Sequence, residues 1–303
     1  MAFSALDGKT DFEHGITART AFDCTGIDVK LPGKCRIFIS PGRPETCAIT
    51  GDFFDISVSG NRTTGAFADA FHILMRGPCR VEHDDASVTS ISRGNMTLVG
   101  STKYFKPELI NADLDQIAAD RNRWLTRRIF PSGNINSQKR AALKAYSMLK
   151  AQVCSPEGLI KRRWTTPDRW PHRWMWLWDS VFHAIAWRHL DPDLAREILT
   201  AVLDTQAPDG FVPHAVGPAS VSKVTQPPLL ALGAAMIEKV EPSPDWIKEI
   251  YPKLSSYIEW ALANRVTDNG GLLKWKIEHD VASRSGESGM DHSSRFSRTA
   301  NLY

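Results

Sequence analysis

The sequence is short of the features that announce many functions. It has five cysteines, Cys24, Cys35, Cys47, Cys79 and Cys154, an odd and scattered set. No C-x-x-C pair argues for zinc, and the spacing does not read as a disulfide framework. Reduced thiols in a cytoplasmic compartment are the expectation. Residues 1–10 lack the basic-then-apolar build of a secretory leader. No apolar run approaches the ~20 residues that span a bilayer. Net charge is only +3, with acids and bases mixed along the chain, so no basic stripe for nucleic acid stands out. No repeat of fixed period is visible. What remains is a water-facing chain of 303 residues, 42% hydrophobic and 23% charged, enough for one large domain or two ordinary ones.

What the chain has in excess is tryptophan. There are ten, and eight of them lie from Trp164 to Trp260. Before them, residues 1–110 read as a β-rich, sandwich-like region. Short β-prone runs at 27–31, 35–39, 53–58, 87–91 and 96–99 are punctuated by Pro32-Gly33, Pro41-Gly42 and Ser59-Gly60-Asn61. From about residue 111 the period becomes helical. A helix is expected over 113–127, and a second after Ser137. Asp191-Pro192 starts another, with proline at the first helical position. Thr225-Gln226-Pro227-Pro228 precedes an apolar helix ending near Glu238. Ser243-Pro244 opens one more, with Trp246, Ile250, Leu254, Tyr257, Ile258 and Ala261 inward. Pro252 should kink or split it. About six helices result.

The loops carry the unusual residues. Trp174, Trp176 and Trp178 alternate, as in a short extended segment before a helix, and Asp179-Ser180 follows. Tryptophan faces suit the C–H faces of sugar rings, and a carboxylate accepts sugar hydroxyls. A core aromatic cluster and a helix cap are the plainer readings. Asp209-Gly210-Phe211-Val212-Pro213-His214 is a turn leading to a histidine. Near the end, Glu287-Ser288-Gly289-Met290-Asp291-His292-Ser293-Ser294-Arg295-Phe296 packs two acids, hydroxyls and a flexible glycine together. Asp291 there suits either a proton-donating acid in a cavity or a helix N-cap.

That ten-residue stretch resembles the general-acid segment of inverting (α/α)6-barrel glycosidases. It is similar to the trehalase version, and more so to glycoside hydrolase family 63, which includes processing α-glucosidase-like and mannosylglycerate hydrolase-like enzymes. It differs at His292, Ser294 and Ser297, where the family usually has Asn, often Pro and often Asp. Trp178-Asp179-Ser180, Asp209 to His214, the segment 225–231, Gly270 to Trp275 and the Asp191-Pro192 helix start resemble further family segments, in the family's order. The resemblance covers residues 124–296.

It implies a mainly α fold, a partial (α/α)6 toroid of the six-hairpin glycosidase type over 111–303, preceded by the β-rich region. It implies Asp291 as general acid, and Trp176, Trp178, Asp179, His214, Gln226, Trp275 and Glu287 as sugar-binding residues. The substrate would be a small α-glucoside or α-mannoside, hydrolysed with inversion. No metal or organic cofactor, nucleic acid or membrane is expected as a partner. In the family the base is a glutamate well downstream, and a closed barrel has twelve helices. The chain therefore reads as truncated, with Glu278 and Glu287 the only nearby acids considered as substitutes for that base. Self-association through unpaired helix faces follows from that reading. A non-catalytic sugar-binding protein on the same half-barrel is the rival. A sugar epimerase or lyase on an α/α toroid is a second, against which the ordered glycosidase segments argue.

Overall fold

The computed structural model describes residues 1–23, 25–39, 43–126, 136–267, 271–276 and 287–290. The chain divides into two compact units. One is Met1–Ser155 with Asp168–Pro171; the other is Pro156–Pro167 with His172–Tyr303.

The first unit is built on two antiparallel sheets. One has β1 (Thr17–Thr20), β2 (Gly26–Leu31), β3 (Cys35–Phe38) and β8 (Arg80–Glu82), in that order. The other runs β4 (Thr46–Ile49), β5 (Phe53–Val58), β6 (Asn61–Asp69), β7 (His72–Arg76), β10 (Met96–Ser101), β9 (Val88–Arg93). Alternate side chains of each sheet meet in one core, where Ile27, Val29 and Ile37 face Phe54, Ile56, Phe67, Ile73 and Met75. The β5–β6 hairpin turns through Ser59 and Gly60, both at positive φ (51° and 75°), which matches the twist of a two-residue turn.

The second sheet is also covered on its outer face. Ala66, Leu74 and Leu98 pack with Ile110 and with Leu114, Ile117 and Ala118 of α1 (Leu114–Thr126). The next helix, α2 (Asn136–Ala151), is tied to the same unit by charge. Lys150 Nζ is buried, donating to Asp52 Oδ2 at 2.6 Å and to the Arg121 carbonyl at 2.9 Å, with Asp7 Oδ2 at 2.7 Å. A Cβ on Gly51 would stand 2.4 Å from the Ser147 carbonyl, so only glycine lets α2 approach this closely. For these reasons the first unit runs to Ser155 rather than stopping near residue 110. The fold is likewise mixed rather than mainly α: fifteen strands stand beside six α-helices among the described residues.

The second unit contains α3 (Leu177–Trp187), α4 (Pro192–Leu203), α5 (Leu230–Glu238) and α6 (Pro244–Arg265). Asp191 caps α4, its Oδ1 accepting from Leu194 N at 2.9 Å. Every residue of α4 from Leu194 to Leu203 except Glu197 is buried, so it is the central helix. At Gly233 of α5 an added Cβ would meet Leu199 at 2.8 Å and Val181 at 2.9 Å, which marks where α3, α4 and α5 converge. The last helix is continuous through Pro252, whose ring stands exposed, and is not split there. Its inward face is Trp246, Ile250, Tyr257 and Ala261; Ile258, expected inward, is exposed.

Among the described residues no helix is long and apolar enough to cross a membrane. Cys35, Cys47, Cys79 and Cys154 take part in no disulfide.

Candidate functional site

The tryptophan run enters α3 through a small antiparallel sheet. Met175 and Trp176 pair with Val216 and Ala215, and Leu177 N donates to the His214 carbonyl at 2.8 Å. This registers the start of α3 against the Asp209-to-His214 loop. The Trp176 ring meets the His214 ring edge-on at 5.1 Å, and Trp176 Nε1 donates to the His172 carbonyl at 3.1 Å. His214 Nδ1 lies 2.6 Å from Ser222 Oγ, which fixes the ring plane. Trp178 is not in the extended segment. It occupies the first turn of α3, beside half-buried Asp179.

The first amides of a helix have no partner within it. Here Gln226 supplies one: its Oε1 accepts from Trp178 N at 3.1 Å. Gln226 is itself buried and held by Tyr257, whose hydroxyl donates to the Gln226 carbonyl at 2.9 Å. Thr225 Oγ1 lies 2.6 Å from the same hydroxyl. Burial, with the nearby Glu287 charge adding to it, pushes the Tyr257 hydroxyl up to about 12, against the opposing pull of Thr225 and Arg265. The tyrosine therefore keeps its proton and remains a donor.

The turn Glu287–Met290 completes the cluster. Gly289 has φ +69°, and a Cβ there would stand 2.4 Å from Cη2 of Trp178, so the backbone of this turn lies against the indole. Ser288 Oγ accepts from Met290 N at 3.1 Å and tightens the turn. Glu287, only 4% exposed, is paired with Arg265, through Nε and through Nη2 at 3.2 Å. The Arg265 guanidinium also lies 4.7 Å over the Trp260 ring, which meets Phe211 at 5.1 Å.

Of the residues expected at the site, Trp178, Gln226 and Glu287 are thus gathered, and Trp176 is joined to His214 through ring contact. Trp275 stands 36% exposed. Asp291 and Glu278 lie outside the described residues. Sequence reasoning missed Arg265, Trp260, Phe211 and the role of Tyr257. Tyr257 was visible only as one more inward residue of α6. Arg265 carries no signal of its own, since a cation at a helix end is ordinary. No group of three His, Cys, Asp or Glu among the described residues could hold a metal ion.

Residues 172–301 match a family model described as the mannosylglycerate hydrolase MGH1-like glycoside hydrolase domain. The mannosylglycerate hydrolase of Thermus thermophilus is 30% identical over 154 residues, 43% of this chain and 35% of that protein. Mannosylglycerate hydrolase MGH1 of Selaginella moellendorffii is 23% identical over 155 residues, 43% of this chain and 30% of that protein. The match thus spans less than two thirds of either relative. The family read from the motifs and the family matched over 172–301 are one and the same, the mannosylglycerate hydrolase-like glycoside hydrolases.

Proposed function

We propose that this site takes the non-reducing sugar of a small α-glucoside or α-mannoside, and that Asp291 is the general acid of an inverting hydrolysis. The second unit is then part of an (α/α)6 ring. The observation that carries the reading is the contact of Gly289 with Trp178. It unites two motif segments that are 111 positions apart in sequence, and Gln226 adds a third. Asp291 follows Gly289 by two positions, so the contact fixes the chain just ahead of it. Trp176, Trp178, Asp179, His214 and Trp275 supply the stacking faces and hydroxyl acceptors that a pyranose needs. The reaction is a single displacement: Asp291 protonates the leaving oxygen while a second carboxylate, ~6.5–9.5 Å away, takes a proton from water on the opposite face. Both Glu287 oxygens are engaged by Arg265, which argues against Glu287 as that base or as a direct sugar ligand.

The engaged Glu287 also favours a second reading, in which the chain binds the sugar without cleaving it. One experiment separates them. The chain is mixed with α-mannosylglycerate or α-glucosylglycerate and followed by proton NMR. The β-anomer of the free sugar appearing first supports inverting hydrolysis, and Asp291→Asn should then lower the rate by ~10²–10⁴-fold. Saturation transfer to the glycoside without product supports the binding reading. Neither transfer nor product with any α-glycoside would sink both.

A further inference from the structure

We propose that Arg265 is a positioning residue for this site, latching the Glu287–Met290 turn onto Trp178. The proposal rests on reading that turn as the approach to the acid. It reassigns Glu287 from sugar contact to latch partner.

The last turns of α6 hold the Trp178 contact from both sides. Tyr257, Ala261 and Arg265 follow one another at four-residue spacing and so share a face. Tyr257 holds Gln226, whose side chain receives the Trp178 amide. Arg265 holds Glu287, two residues before the glycine that lies on the Trp178 ring. One helix face thus fixes the backbone of Trp178 and the backbone that covers its indole.

The chemistry at Arg265 suits a latch. A buried carboxylate is costly to desolvate unless it is paired and hydrogen-bonded. The guanidinium presents a planar fork that engages both Glu287 oxygens. Its remaining nitrogen, Nη1, donates to the Asn264 carbonyl at 2.9 Å, at the helix end where a cation is favoured. Its flat face lies over Trp260, which packs on Phe211 in the loop leading to His214. A lysine could meet one of these demands and not all of them.

The test uses the 303-residue chain labelled with 5-fluorotryptophan and read by fluorine NMR. The Trp178 resonance is assigned by its loss in Trp178→Phe, and Trp164 and Trp187, both fully buried, serve as controls. Arg265→Ala and Glu287→Gln should each move the Trp178 resonance by more than a linewidth and leave the controls in place. The double variant should move it no further than either single one, because the pair acts as a unit. Arg265→Lys, or ethylguanidinium added to Arg265→Ala, should return it part of the way. An unmoved Trp178 resonance in the single variants overturns the proposal. So does a shift shared by Trp164 and Trp187, which would mean general loosening of the unit. If Arg265→Ala does not fold, Glu287→Gln carries the same two outcomes. The signature is read without sugar. A latch signature without sugar binding counts against the function proposed above and leaves the latch; sugar binding with an unmoved resonance overturns the latch alone.

Discussion

Gly289 is the smallest group in the site and the least replaceable. Its φ of +69° and the indole 2.4 Å from a would-be Cβ exclude any side chain while the turn stays docked. Gly289→Ala should cost about 1–3 kcal/mol from backbone strain alone. It is expected to lower the thermal midpoint by several degrees; an unchanged midpoint would show that the turn is not docked as described. Tyr257 offers a test by pH. Its hydroxyl ionises near 10.0 when unfolded and is held up to about 12 when folded. Below pH 10 both states carry the proton, and above it the unfolded state loses the proton first. Stability should therefore fall between pH 10 and about 12, and Tyr257→Phe should lack this component when the two proteins are compared by urea denaturation. At this scale the motif residues were legible because each sits in a distinctive local string. Arg265 was not, because its partner is 22 positions away and neither residue is unusual where it stands.

At the scale of elements, α3 carries its own titrating group. His183 lies within it, and desolvation lowers its imidazole to about 4. The unfolded histidine takes a proton near 6.5 while the folded one resists. The stability this gives is complete above pH 6.5 and is lost as pH falls towards 4. His183→Gln should flatten that acid limb in denaturation curves; an identical limb in parent and variant would mean the ring is already solvated. The helices were legible from their caps and period: Asp191-Pro192 and Ser243-Pro244 open α4 and α6 as expected. Strands β6 and β7 were not legible, because their sheet is buried on both faces and loses the alternation that marks a half-exposed strand. Position 65 is glycine because Phe54 leaves no room for more, and that removes a β-prone residue from the pattern. Ile258 was misjudged by one helical step. It follows Tyr257, about 100° further round the helix, and so faces outward.

On the scale of the whole molecule, the chain is a sandwich with two helices of its own and a separate helical unit that carries the family match. The helical unit leaves large apolar side chains in water. Phe182 is 52% exposed on α3, Leu232 50% on α5, and Tyr251 and Leu262 65% and 55% on α6. Apolar surface of this kind favours association when it is contiguous. Sedimentation velocity is expected to show concentration-dependent association, reduced by Leu262→Glu and Leu232→Glu together; a monomer at every concentration would remove the expectation. The central claim is that Trp178, Asp179 and the Gly289 turn form the wall of a pocket for one sugar ring. Calorimetric titration of the chain with α-mannosylglycerate, α-glucosylglycerate and simple α-mannosides and α-glucosides tests it most directly. The account predicts saturable binding of at least one of them, weakened about tenfold or more by Trp178→Ala and by Asp179→Asn, roughly the 1–3 kcal/mol that a lost ring stack or hydroxyl contact costs. Both variants binding the whole panel as the parent does, or a parent that binds none of it, would contradict the account.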